Sequence, residues 1–145
     1  FDLNYVDKDG KQKQPVIIHR VIYGSIERFI GILVEHYKGA FPLWLAPVQV
    51  AVLSMSDKNV KYAQNVVKKL EEAGLRVLTD FDSNTIDYKV RNAELQKINS
   101  ILVCGDKEAE KKTIAVRSHK EGKVKYGVKV EEFIKEALKE VEEMK

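Results

Sequence analysis

The chain has 145 residues, enough for one ordinary domain with a smaller piece beside it. With 44% hydrophobic and 32% charged residues it does not have the make-up of a disordered chain, and its apolar runs are too short to span a bilayer as helices. A net charge of +3 is too small to announce nucleic-acid binding, and a single cysteine, Cys104, excludes an internal disulfide.

The first residues, F-D-L-N-Y-V-D-K-D, lack the basic head and apolar body of a signal peptide. With one cysteine, this fits a reducing compartment and a cytoplasmic location. A chain that starts with phenylalanine reads as a piece of a longer one.

Leu3, Tyr5 and Val6 lead into Asp7-Lys8-Asp9-Gly10, a turn signal with a glycine available for positive φ. Val16 to Ile18 and Val21 to Tyr23 are nearly continuous β-formers, which predicts a second strand over about 16–23, covered on both faces. Gly24-Ser25 breaks that run, and Ser25 can cap a helix. Ile26, Phe29, Ile30, Leu33, Val34 and Tyr37 then recur at three and four and build one apolar stripe. Glu27 and Arg28 fall in the first turn, where free backbone N–H groups point. A glycine turn, a hydroxyl, an acid and an arginine at a helix start make a candidate anion or nucleotide site. Phe41 to Pro47 is apolar but bracketed by prolines, so it reads as a packed linker with a domain boundary at about residue 45.

A second pattern follows. Val48 to Met55 predicts a strand, and Ser56 a cap for a helix with Val60, Ala63, Val66, Val67 and Leu70 on one face and Gly74 past its end. Leu75 to Thr79 is the next strand. Asn84 or Thr85 caps a shorter helix with Ile86, Val90 and Ala93 inward. Ser100 to Cys104 is a third buried strand closed by Gly105. Short links between these elements predict parallel strands with right-handed crossovers. Thr113 to Arg117 and Val124 to Tyr126 suggest an antiparallel hairpin. A final helix carries Val130, Phe133, Ile134, Ala137, Leu138 and Val141, with no good N-cap before it. The sum is an α/β fold: a mixed five-stranded sheet with three helices, after a strand–strand–helix segment.

Charge is unevenly spread. Lys107 to Lys129 holds seven lysines and Arg117 against three glutamates, whereas residues 130–145 hold six glutamates against three lysines. Taken alone, this is a solvated surface. Taken alone, too, His19 reads as a core histidine, Arg28 as half of a surface pair with Glu27 or Glu35, and Glu108 as a solvated loop acid. Cys104 reads as a buried strand thiol.

The run G-S-I-E-R-F at Gly24 to Phe29 resembles the third signature motif of class II aminoacyl-tRNA synthetases. With His19 before it and F-P-L-W-L-A-P-V-Q-V after it, the stretch is similar, without a gap, to the threonyl-tRNA synthetases. The resemblance implies that residues 1–45 are the C-terminal remnant of an antiparallel catalytic domain, most of whose sheet is missing here, so that these strands should be poorly covered, and residues 46–145 an anticodon-binding domain. It implies a C-terminal fragment of an ATP-dependent ligase that joins threonine to tRNA and works as a homodimer. His19 would be one of three ligands of a zinc that recognises threonine, with the other two outside this chain. Arg28 would contact ATP and its Mg²⁺-bound phosphates, in a pocket shaped by Gly24 and Ser25. Alone, the fragment is expected not to aminoacylate.

The resemblance also places Glu108 and Arg117 on the central guanine of the anticodon of tRNA(Thr). Arginine offers paired donors to guanine O6 and N7, and glutamate accepts from the N1–H and N2–H₂ edge. Lys107, Lys111 and Lys112 would serve phosphates. Members often carry cations after the second strand of the domain. Here that stretch is Asp82-Ser83-Asn84-Thr85 followed by Asp87, so RNA contact is expected to lean more on Lys89, Arg91 and the lysine-rich hairpin. The alternative is a non-catalytic RNA-binding accessory module with the same fold. A flavodoxin-like domain predicts an acidic or glycine-rich site at strand C-termini, and the basic hairpin argues against it.

Overall fold

The computed structural model describes residues 2–119 and 122–144. By internal contacts the chain divides into two compact units, Phe1–Ile32 and Leu33–Lys145.

In the first unit β1 (Tyr5–Val6) pairs antiparallel with β2 (Gln12–Lys13), Tyr5 opposite Lys13. The turn between them is the predicted one. Gly10 takes φ +75°, its N–H donates to the Asp7 carbonyl at 2.9 Å, and Lys13 forms an ion pair with Asp7. The predicted buried strand over 16–23 does not form. Val16 is 89% exposed and Ile22 82%. A β-former becomes a strand only against a neighbour that takes up its backbone groups, and no strand among the described residues lies beside this one.

Gly24, at φ +69°, turns the chain into α1 (Ile26–Tyr37). Ser25 is its cap: Ser25 Oγ accepts from the Arg28 N–H at 3.2 Å. The helix is amphipathic as its spacing predicts, yet none of its residues is buried.

The second unit is a five-stranded sheet in the order β4-β3-β5-β6-β7. β3 (Val50–Ser54) lies between parallel β4 (Val77–Asp80) and parallel β5 (Ser100–Cys104). Antiparallel β6 (Thr113–Ser118) and β7 (Val124–Lys129) extend the sheet beyond β5. Every residue of β3 is buried, as expected of a central strand with apolar side chains facing both ways. Its even positions, Val50 and Val52, join Leu102, Ile114 and Val116 under α2 (Val60–Glu72) and α5 (Val130–Glu142). Its odd positions, Ala51 and Leu53, join Ile101 and the Ala93 of α3 (Ile86–Leu95) on the opposite face. Gly74 ends α2 at φ +84°, the left-handed position glycine fills without strain.

Among the described residues four α-helices accompany this sheet, one more than the three expected. The connection after β5 holds α4 (Asp106–Lys111), with sequence D-K-E-A-E-K. It has good helix formers but no apolar stripe, so periodicity does not announce it. Asn59, in a 3₁₀ turn (Asp57–Asn59) before α2, fixes its start by donating from Nδ2 to Asp106 Oδ1 at 2.9 Å.

The proline-bounded stretch is held by named bonds. Asn99 Nδ2 donates to the Phe41 carbonyl at 2.8 Å, and Arg76 Nε to the Ala46 carbonyl at 2.9 Å. Gln49, 1% exposed, donates from Nε2 to the Leu43 carbonyl at 2.8 Å and accepts the Arg76 N–H on Oε1 at 2.9 Å.

The core also sets an alkaline limit. Tyr62 Oη donates to the Thr113 carbonyl at 2.7 Å, and burial pushes its pKa from 10.0 to about 12, with the Cys104 thiol and Glu131 adding to the rise. Burial likewise pushes Cys104 from 9.0 to about 12, aided by the charge of Glu108. Raised pKa values mean that the folded state keeps protons the unfolded chain releases, so stability is full below pH 9 and falls as pH rises towards 12. Urea midpoints measured between those pH values should decline, and Tyr62→Phe should flatten part of the decline.

Candidate nucleic-acid interface

Strand alternation decides what faces what. On β6, Ile114 and Val116 enter the core under α2 and α5. Ala115 and Arg117 therefore project to the α3 side, where the cross-strand partner of Arg117, Ile101, is buried. There a cleft of about 210 Å³ opens, floored by Val103, Ala115 and Val124 and walled by Ile86 and Val90 of α3. Its polar rim is Glu108 from α4 and Arg117 from β6, and Met55 and Tyr126 complete it.

The two residues predicted to work together are thus brought to one cleft by two elements that the sheet holds adjacent. Their mutual ion pair is absent. Arg117 Nε instead pairs with Glu94 Oε1 of α3 at 2.7 Å, each side chain rather more than a third exposed. Among the described residues Glu108 makes no ion pair, so its carboxylate remains available to donors on a ligand. It lies over Gly105. A Cβ there would come to 2.8 Å from Glu108 Oε2 and 3.1 Å from Met55 Sδ. Gly105→Ala is therefore expected to keep the fold and displace the Glu108 carboxylate. An unchanged melting temperature with a weakened base preference would be the sign of this; equal preference before and after would show that Glu108 does not need this seat.

Two donor-rich nitrogens on a fork and a free carboxylate in a half-open cleft are suited to the edge of a base that offers both acceptors and N–H groups. Tyr126, 76% exposed at the same rim, offers a ring on which such a base can stack. The pattern of the family described as "Anticodon binding domain" matches residues 49–140, which contains every element of this cleft.

The chain belongs to the anticodon binding domain family.

Similar curated proteins are the threonine–tRNA ligase of Syntrophomonas wolfei, 57% identical over 144 residues and 99% of this chain, and that of Clostridium novyi, 52% identical over 143 residues. The chain spans 22% of the length of each. Among solved structures, the RNA binding domain of threonyl-tRNA synthetase from Cryptosporidium parvum Iowa II superposes with a TM-score of 0.75 at 35% identity, covering 95% of this chain and 35% of that one. Prolyl-tRNA synthetase from Cryptosporidium parvum shares the fold, with a TM-score of 0.69 at 21% identity over 97% of this chain and 30% of that one.

Within this anticodon binding domain the predicted cations separate. Lys107 and Lys111 are exposed on α4, and Arg91 is exposed on α3. Lys112 ends α4 in the left-handed region, at φ +55°, and lines a different cleft of about 460 Å³ with Tyr62, Asn65, Lys68 and Lys69. Lys89 departs from expectation. It is 2% exposed, its ammonium donates to the Ser54 carbonyl at 3.0 Å and the Asp80 carbonyl at 3.4 Å, and Asp80 Oδ1 stands 3.8 Å away. An ammonium so enclosed ties α3 to the ends of β3 and β4 and does not reach a phosphate. The acidic loop Asp82 to Thr85 is exposed beside it.

The residues expected to serve catalysis lie in the first unit. Gly24, Ser25, Arg28 and His19 are all exposed. Among the described residues Arg28 forms no ion pair with Glu27 or Glu35, and no group of three histidine, cysteine, aspartate or glutamate side chains could hold a metal. His19 alone does not fit a zinc site within this chain.

Sequence reasoning passed over Glu94, Met55 and Tyr126. The K-V-K-Y run at Lys123 to Tyr126 does carry a signal, an aromatic interleaved with cations. Glu94 carries none, because its meeting with Arg117 depends on where α3 lies across the sheet.

Proposed function

We propose that this chain is part of a threonine–tRNA ligase and that its anticodon binding domain reads the central guanine of the anticodon of tRNA(Thr). The observation that carries the reading is the cleft that gathers Glu108, Arg117 and Tyr126. Arg117 donates to O6 and N7, Glu108 accepts from N1–H and N2–H₂, and Tyr126 stacks on the base. Lys107, Lys111, Arg91 and, from the neighbouring cleft, Lys112 neutralise phosphates. The similarity to named ligases supports this assignment.

In the complete enzyme, threonine is joined to tRNA at the expense of ATP, with Mg²⁺ on the phosphates and Arg28 at the nucleotide beside Gly24 and Ser25. His19 joins two ligands from outside this chain around a zinc, the enzyme is a homodimer, and it works in the cytoplasm. The catalytic remnant is residues 1–45 and the RNA-reading domain residues 46–145, with residues 33–45 packed as part of the second compact unit.

The test is titration of the 145-residue chain with anticodon stem-loops that differ only at the central base. Guanine should bind ~10-fold or more tighter than adenine, the scale of one lost bidentate contact. Equal binding of both would remove base reading from this cleft. Measured alone, the chain should show no threonine-dependent pyrophosphate exchange; exchange above background would overturn the division of labour between this piece and the rest of the enzyme.

A further inference from the structure

We infer that Glu94 is the positioning residue of Arg117: it grips the guanidinium through Nε and leaves the two terminal nitrogens for the base. The inference rests on the proposed reading of the cleft and adds a residue which that reading does not assign.

Geometry supports it first. Arg117 Nε and Glu94 Oε1 stand 2.7 Å apart, a close ion pair at the inner end of the guanidinium. Both partners stand on rigid elements. Arg117 is locked in β6 between Ile101 on one side and Val124 on the other. Glu94 lies in the last turn of α3, next to Ala93, which is 3% exposed against the sheet. A contact between side chains anchored in this way holds an angle better than one between loops.

The choice of partner supports it next. Glu108 lines the same cleft, yet Arg117 pairs with Glu94. The cleft therefore has one tethered acid and one open acid. An arginine carries five N–H donors in a planar fork, and Glu94 stands against its Nε end. Guanine needs two parallel donors at O6 and N7, which the terminal nitrogens still supply. A guanidinium already fixed at Nε loses less rotamer freedom when the base arrives.

A separate consequence distinguishes positioning from attraction. Glu94 is negative and RNA is negative, so Glu94 opposes binding in general while sharpening it for guanine. Removing it should move affinity and discrimination in opposite directions.

The experiment uses the 145-residue chain and stem-loops with guanine or adenine at the central position. Variants are Glu94→Ala, Glu94→Gln, Arg117→Ala and the double Glu94→Ala/Arg117→Ala, each with its thermal midpoint recorded. Glu94→Ala should bind the adenine stem-loop as well as wild type or better, while the guanine-to-adenine ratio falls ~3–10-fold, the scale of one side chain that must be ordered on binding. Glu94→Gln keeps the size of the side chain but removes the charge of the pair, and should lower the ratio in the same direction as Glu94→Ala. In the Arg117→Ala background, Glu94→Ala should change the ratio less than ~2-fold, because its action passes through Arg117. Two results overturn the inference and leave base reading intact: Arg117→Ala lowers the ratio and Glu94→Ala does not, or Glu94→Ala lowers it equally in both backgrounds. If Arg117→Ala itself leaves the ratio unchanged, the base-reading proposal fails and this inference with it.

Discussion

Arg117→Ala is expected to cost ~1–3 kcal/mol of discrimination between guanine and other bases at the central anticodon position, the scale of one bidentate base contact. The guanidinium is half-exposed at the rim of the cleft, so its removal should leave the fold nearly unchanged. Lys112→Ala is the informative contrast. Lys112 lines another cleft, on the side of α2, and in the proposed reading it serves backbone phosphate. Its loss should weaken every stem-loop alike and shallow the salt dependence by about one released counterion. Glu108→Gln should be milder than Arg117→Ala, since an amide keeps one acceptor but loses the other and the charge. Titrations at two salt concentrations separate the three. If Arg117→Ala and Lys112→Ala both weaken guanine and adenine stem-loops equally, the hairpin is an electrostatic platform, and base reading lies elsewhere on the domain.

The sheet was legible wherever apolar spacing and burial agree. β3, α2, β5 and α5 fall where period-two and period-3.6 patterns put them, because each buries its own apolar side chains against the same core. Residues 16–23 show the limit of that logic. Their composition records a need for cover, and composition does not say whether the cover lies within this chain. α4 was missed for the converse reason: it is fixed by Asn59 on Asp106 and not by an apolar face.

The site divides in the same way. Glu108 and Arg117 were named through resemblance, and the cleft that joins them is a finding of the fold. Lys89 was misassigned although a signal was present. It stands three residues after Ile86 and four before Ala93, on the inward face of α3, where a lysine must carry its charge to buried acceptors. Glu94 had no such signal, since tertiary placement alone brings it to Arg117.

Gln49→Leu should be the most damaging single change to stability, at about 2–4 kcal/mol, because it orphans two backbone groups at once. The Gln49 amide is fully enclosed and bridges the Leu43 carbonyl to the Arg76 N–H. A leucine of similar size fills the space but can neither donate nor accept, and the buried Leu43 carbonyl is left without its partner. The effect should spread beyond the mutated strand. The Leu43 side chain is 2% exposed in the main core, so a loosened 41–46 segment also loses apolar cover. Arg76, which holds the Ala46 and Trp44 carbonyls at 2.9 and 3.1 Å, loses the fixed backbone from which it reaches them. Urea denaturation should show the drop in midpoint, and limited proteolysis should then cut between Phe41 and Pro47 faster than in the wild type. Gln49→Glu keeps the acceptor for Arg76 and loses only the donor to Leu43, at the added cost of a buried charge. It should be destabilised as well, but its loss should shrink as pH falls and the carboxyl takes up a proton that can donate to Leu43. A Gln49→Leu variant that unfolds at the wild-type midpoint would show that the segment is held by its apolar contacts alone, Leu43 foremost among them.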